Sequence, residues 1–486
     1  MPKHKEILRQ SWIYSFGTQI AQFITLAAAI CSRRFLGPAQ TGIWAALQIL
    51  VDYSKYSTLG TMDAVSREIP YRIGKGEIET ADKIKNLAAT FVFAGSLLIA
   101  GALLFFALAT RGRFRPEITY GLMWISGLIV LQRLNNLLIA LLRCYKRFEI
   151  EAQLMIASAV VNAVLVAVFS YYFKIYGFIW AMMLSFVFNI VFVRAQYAFR
   201  LKWTFDPVML KPLVTFGLPL MFLGLGMTLF RSLDKIMIVR FLGFESLGWY
   251  SIALMAVSYI SNFPISVGIV LLPHFQEKYG LTNNPRDLES YLAKSSRAMA
   301  LSMPLMLAAV WQMAPYGIEI FLKKFIPGIP AMKILTLGMF FMALSQFYYD
   351  ALVNIKKHFL LFPVLLGSGL FTFLLDFVAI RAGWGIRGVA AATTAGVFVY
   401  FCAVYAVAVF HFSNWKTAMR EFLFFVACFL YLVLAMMGLE NLPFSGFGRL
   451  GSQLAGLLVF SLGPLFLLNR EFQVIPLILK KFKKAA

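Results

Sequence analysis

Ionisable and amide residues stand inside apolar runs at four places in this chain, at spacings that group them on helical faces. Asp52 and Lys55 are three positions apart, with Gln48 before them and Asp63 after them. At about 100° per residue these four fall within roughly 80° of one another and predict a single polar face on one helix. Arg133 is followed three positions later by Asn136, and Arg231 by Asp234 and Lys235 at three and four. Gln346, Asp350 and Asn354 recur every fourth residue, and Asp376 lies near the end of the next apolar run.

Each pattern supports a definite chemistry. A charge at the centre of a bilayer costs about 2.5–3.5 kcal/mol even on the lenient insertion scale, so each needs a partner or a wet cavity. Asp52 and Lys55 can pair with each other, either as a neutral packing pair or as a cavity wall whose Lys accepts an anion when the pair opens. Arg133 has no acid in its own run, which leaves another helix, water or a ligand; its guanidinium can donate two parallel hydrogen bonds to an oxyanion. Arg231 and Lys235 either join it or snorkel to the interface. A carboxylate that alternates between wet and dry surroundings changes its proton affinity, as ion coupling requires, and Asp350 is the candidate. Asp376, close to Arg381, reads as an interfacial pair instead.

The elements that must position these groups follow from composition. The chain has 486 residues, 60% hydrophobic and only 14% charged, against about a quarter charged in soluble proteins, so its solvent is mostly lipid. Runs long enough to cross about 30 Å of hydrocarbon number about fourteen, among them 12–36, 41–66, 118–142, 212–242, 247–272 and 334–354. They are continuously apolar and do not alternate, which selects helices over a barrel. The fold expected is all-α and polytopic. Loops on one side carry about twice the Lys and Arg of those on the other, placing both termini in the cytoplasm.

A repeat organises the spans. RFLGPAQTGIW from Arg34 and RFLGFESLGWY from Arg240 share RFLG-x4-G, one copy between spans one and two, the other between seven and eight. Six spans separate them, an even number, which predicts two six-helix bundles related as parallel repeats. The expected divisions are 1–205, 206–411 and a 412–486 segment holding two further spans and a basic tail, with the polar linker RLKWTFDPVMLKP as the seam.

RRFLGPAQTGIWAALQIL, SREIPYRIGKGE and RSLDKIMIVRFLGFESLGWYSIA resemble the polysaccharide-biosynthesis flippases, the Wzx-type O-antigen transporters of the multidrug/oligosaccharidyl-lipid/polysaccharide exporter (MOP) superfamily. The span count also resembles that superfamily's lipid II flippases. The resemblance implies two bundles around a central cavity that opens alternately to either side of the inner membrane and moves an undecaprenyl-pyrophosphate-linked glycan outward. Implied partners are that lipid-linked oligosaccharide, membrane lipids and glycan-assembly proteins. On this reading Arg133, Asn136, Lys55, Arg231 and Lys235 meet the pyrophosphate, with Arg34 and Arg240 at the cavity mouth. Asp52, Asp234, Asp350, Gln48 and Gln346 serve coupling or line the cavity. No cofactor is expected; coupling to H⁺ or Na⁺ is useful but not obligatory, because an inside-negative potential also expels an anionic headgroup, by about 2.3 kcal/mol per charge per 100 mV.

Other classes fit less well. The net charge of +23 would suit nucleic acid, but there is no soluble basic segment to hold it. Cys31, Cys144, Cys402 and Cys428 are scattered, as are His4, His274, His358 and His411, which predicts neither disulfides nor a metal site. Gly74-Lys75-Gly76 lacks the phosphate-loop pattern. A membrane glycan polymerase or ligase would need an exterior loop with a cluster of catalytic groups, and the outer loops offer none. An ion-coupled small-molecule exporter of the same superfamily remains the alternative. The tail LILKKFKKAA reads as a cytoplasmic anchor or as a contact with anionic lipid.

Overall fold

The computed structural model describes residues 2–440 and 446–472. Among these there are fourteen α-helices and no strand: α1 (Pro2–Tyr53), α2 (Thr61–Gly74), α3 (Ile78–Ala109), α4 (Pro116–Cys144), α5 (Phe148–Gln196), α6 (Pro207–Phe230), α7 (Leu233–Phe241), α8 (Gly243–Thr282), α9 (Glu289–Phe321), α10 (Ile329–Asn354), α11 (Leu361–Arg381), α12 (Gly385–Phe412), α13 (Trp415–Glu440) and α14 (Gly446–Phe472). Lipid offers no partners to backbone N–H and C=O groups, so these apolar runs satisfy them internally. The expected tail from 473 on lies outside the described residues.

Twelve of the helical segments are long and apolar enough to cross a membrane. Two of them hold two crossings each. A straight helix of α5's 49 residues would measure about 73 Å, more than twice the hydrocarbon thickness. It does not run straight: the backbone leaves helical values at Lys174 (φ 53°, ψ −130°), and Gly177 packs onto the Phe169 carbonyl eight residues earlier, a contact only a reversal permits. α1 is interrupted in the same way at Gly37 (φ 71°, ψ 177°), a conformation open essentially to glycine alone. The two helices turn together. Thr18 meets Met155 (4.0 Å), the Phe35 and Tyr171 rings lie 5.4 Å apart, and beyond both turns Trp44 meets Phe178 at 5.0 Å. Counting the two limbs of α1 and of α5 separately, the described residues hold fourteen apolar segments long enough to cross a membrane, in line with the about fourteen runs read from hydropathy.

Two expected spans are not single helices, and both corrections bear on the site. The run 41–66 ends as α-helix at Tyr53, tightens into a 3-10 turn over Ser54–Thr58, and breaks at Leu59 and Gly60, both left-handed (φ 46° and 75°), before α2 begins. Asp63 therefore does not share a continuous helical face with Asp52. The run 212–242 breaks at Arg231 and Ser232, between α6 and α7, so Arg231 lies in the break while Asp234 and Lys235 begin α7.

Packing divides the chain into two compact units. The first comprises residues up to Lys235 together with Gly243–Gly248; the second comprises Ile236–Leu242 and the chain from Trp249. The core of the first is built from α1, α4 and α5 around Leu47, Ile125, Leu128 and Ile179, and from α2, α3 and α4 around Val65, Leu87 and Leu141. In the second unit α13 and α14 are tied to α9 and α10 by polar contacts. Arg297 donates to both oxygens of buried Glu421, Lys333 pairs with Glu440, Trp311 donates to Glu440 (3.0 Å), and Tyr316 donates to Gln453 (2.7 Å).

The repeated motif has a structural meaning within the first unit. The leading glycines Gly37 and Gly243 both have positive φ (71° and 86°), so each copy turns the chain at the same motif position. The trailing glycines make a reciprocal crossing. A Cβ on Gly42 would stand 1.7 Å from the Phe244 carbonyl oxygen, and one on Gly248 would stand 1.9 Å from that of Pro38. Pro38 and Phe244 each follow the leading glycine of their copy. RFLG-x4-G thus specifies one glycine that turns and one that lets the other copy's backbone approach.

Candidate functional site

In the first unit, the second limb of α1, the 3-10 turn after it, α4 and the α6–α7 junction bring four charges to one place. Lys235, Lys55 and Arg133 all act electrostatically on the Asp52 carboxylate. Among the described residues none of the four closes into an ion pair. Elsewhere in the described chain several acids are taken up directly, as in Arg143–Glu151 at 2.7 Å or Lys85–Asp82 at 2.7 Å.

Local backbone geometry explains the open arrangement. A regular helix would set Lys55 one turn above Asp52 and invite the pair that the spacing predicts. The 3-10 turn changes the phase after Tyr53, and the Lys55 ammonium lies over the Tyr56 ring instead, 4.9 Å from its centroid. Arg133 sits on α4 with its Nη2 donating to Gln132 Oε1 (2.9 Å), while its Nε is buried with no hydrogen-bond partner. Lys235 stands in the first turn of α7, where its backbone N–H donates to Asp234 Oδ1 at 2.7 Å. Asp234 is 4% exposed.

A seam of hydroxyl contacts holds the limb against α6. Tyr53 and Ser232 share a hydrogen bond of 2.9 Å, and Tyr56 and Thr228 one of 2.6 Å. At the end of the seam Gly60 and Gly217 approach backbone to backbone, each blocking the space for a Cβ on the other. Sequence number rises along one strand of contacts and falls along the other, so the two segments run antiparallel. The break at Arg231–Ser232 places Lys235 beside this seam.

The remaining expected residues are distributed as follows. Gln48 is exposed one turn before Asp52, and Asn136 is exposed one turn after Arg133. Arg34 and Arg231 have exposed side chains in the first unit. In the second unit Arg240 is exposed with its guanidinium 5.8 Å from the Phe241 ring, and Gln346 donates to Asp350 at 2.9 Å on α10. Asp376 is fully buried on α11, and Arg381 lies against the Phe377 ring at 5.2 Å rather than in an ion pair with Asp376. Sequence reasoning passed over Tyr53, Tyr56, Thr228 and Ser232. Their one visible signal is that hydroxyl residues flank the charged ones in both broken spans.

The long apolar helices of the described residues define a multi-pass membrane protein. The family is shown by sequence: residues 33–324 match the family described as polysaccharide biosynthesis protein, and the chain belongs to that family. No curated protein matches. Among solved structures, the lipid II flippase MurJ in an inward closed conformation is similar at TM-score 0.69 and 16% identity, covering 94% of this chain and 99% of that one. An inward-facing MATE-family multidrug resistance transporter of the MOP superfamily is similar at TM-score 0.62 and 16% identity, over 89% and 96% of the two chains. A MOP-superfamily transporter from Pyrococcus furiosus, described by a binding pocket of reversed polarity, reaches TM-score 0.58 at 16% identity, over 88% and 96%. The chain therefore shares the fold of these solved structures.

Proposed function

We propose that this protein is a flippase that carries a polyprenyl-pyrophosphate-linked oligosaccharide from the cytoplasmic to the outer leaflet of the inner membrane by alternating access, with both termini in the cytoplasm. The observation that carries the reading is the set Lys55, Arg133 and Lys235 around Asp52, held within electrostatic reach but unpaired. Cations kept apart from their acid in an apolar bundle are stable only with water or an anion between them. A pyrophosphate supplies that anion with oxygens enough for a guanidinium and two ammonium groups. Family membership supplies the glycan end of the substrate. Gln48 and Asn136, exposed on the flanking turns, are amide donors suited to the same headgroup.

A second reading, export of small molecules coupled to H⁺ or Na⁺, is supported by the MATE-like fold and by the Gln346–Asp350 pair on α10. The two part over substrate. In proteoliposomes, flipping of a fluorescent polyprenyl-pyrophosphate sugar without uptake of cationic dyes supports the first; dye transport with no flipping supports the second and removes the first.

A further inference from the structure

The linker between α5 and α6 has a defined course along α3. The backbone N–H of Lys202 donates to Asn86 Oδ1 (3.1 Å) and that of Thr204 to Thr90 Oγ1 (3.0 Å). Two residues of extended chain advance about 6.6 Å, and one turn of helix, four residues, about 6.0 Å, so alternate linker amides meet successive turns of α3. The Trp203 ring then lies 5.0 Å from Phe93, and Asp206 caps the start of α6 through Val208 N (2.9 Å) and Met209 N (3.2 Å).

This course carries the linker across a polarity boundary. α3 bears its charges at Glu79, Asp82, Lys83 and Lys85 and has none from Asn86 to its end. Lys202 stands level with Asn86, and the linker residues that follow reach apolar α3. Trp203, which meets the uncharged part of α3, is 70% exposed, and Phe205 and Val208 just after it are 71% and 82% exposed. The charges complete the pattern. The acids of this α3 segment are occupied, Asp82 by Lys85 (2.7 Å) and Glu79 by Lys83 (2.9 Å), whereas Arg200, Lys202 and Lys211 make no ion pair among the described residues.

We infer that the linker and the first turns of α6 are an interfacial membrane anchor: Trp203, Phe205 and Val208 insert at the headgroup–acyl boundary, and Arg200, Lys202 and Lys211 bind the phosphates of anionic phospholipid. An amphipathic aromatic at the boundary with cations on its aqueous side is the arrangement that such surfaces favour. The inference does not depend on the transported substrate.

The test uses the full chain in nanodiscs of phosphatidylcholine with phosphatidylglycerol. Subtracting the emission of W203F from that of the wild type isolates Trp203 from the chain's nine tryptophans. Lipids brominated near the headgroup should quench this difference signal at least about twofold more than aqueous acrylamide does, as for an interfacial tryptophan. Quenching by acrylamide alone, or by neither agent, overturns the inference, the second outcome indicating a protein cover. Omitting phosphatidylglycerol, or substituting R200Q/K202Q/K211Q, should raise acrylamide access; unchanged access in both cases contradicts recognition of anionic headgroups. Retained thermal stability of W203F and of the triple variant confirms that each comparison is between folded proteins.

Discussion

Arg133 and Asp52 feel each other's charge within one compact unit and yet form no ion pair. Opposite charges placed in an apolar bundle would collapse onto each other if the helices allowed it, because their attraction grows as the dielectric falls. The helices do not allow it. Arg133 is turned toward Gln132, and the limb that carries Asp52 is fixed by the Tyr53–Ser232 and Tyr56–Thr228 hydrogen bonds. The separation is therefore built in, and on the proposed function an anion enters without first breaking a salt bridge.

One consequence concerns charge at the site. Asp52→Asn removes the carboxylate that the three cations share, and should tighten binding of a pyrophosphate lipid severalfold while slowing its release. Arg133→Ala should weaken binding at least about tenfold, one charge-assisted bidentate contact being lost, about 1.5–3 kcal/mol. Titrating both purified variants with the lipid-linked sugar checks the pair. Weaker binding in Asp52→Asn would show that the carboxylate, not the cations, holds the ligand.

The hydroxyl seam is open to measurement by conservative change. Tyr53→Phe and Tyr56→Phe each delete one hydrogen bond and should cost about 1 kcal/mol apiece in equilibrium unfolding. Their larger effect should be on transport, because the limb bearing Asp52 and Lys55 loses its hold on α6. Equal losses of stability and transport in a buried control such as Leu128→Ala, expected to cost about 2–5 kcal/mol, would mean that the seam matters only for folding.

The glycine crossing makes a sharper demand. Gly248→Ala puts a methyl group where the Pro38 carbonyl stands, so the two backbones must separate. We expect loss of folded protein on expression, whereas Gly280→Ala, at a helical glycine with open space around it, should be silent. Folded yield by size-exclusion chromatography compares them. Normal yield for Gly248→Ala would show that the two motif copies do not need this contact.

In the second unit, the doubly bonded Arg297–Glu421 pair tethers α13 to α9. Glu421 is 6% exposed in its side chain, so Glu421→Gln strands a guanidinium and should cost about 3–5 kcal/mol, most of which the double variant Arg297→Met/Glu421→Met restores. A thermal unfolding series of the two variants decides it. No recovery in the double variant would assign the loss to packing.

Much of this architecture was legible in the sequence, for physical reasons. Spans announce themselves because lipid tolerates only continuous apolar runs, and the RFLG-x4-G repeat announced the turns because few residues besides glycine adopt the backbone that they require. The breaks within two spans were not legible. Leu59 adopts a left-handed conformation that no local rule predicts, and α6 ends at Phe230 with no proline or glycine at the break. Those breaks govern which charges meet: they divert Lys55 from Asp52 and bring Lys235 into its range. Pairing inferred from one helix at a time could find the residues of the cluster but not its arrangement.

The most direct measurement is flipping of a fluorescent polyprenyl-pyrophosphate sugar by the purified chain in proteoliposomes, wild type against Lys55→Gln/Arg133→Gln/Lys235→Gln. The account predicts transport by the wild type and a loss of at least about two orders of magnitude in the triple variant at unchanged folded yield, since each lost charged hydrogen bond is worth about 1.5–3 kcal/mol. Full transport by the folded triple variant would contradict it.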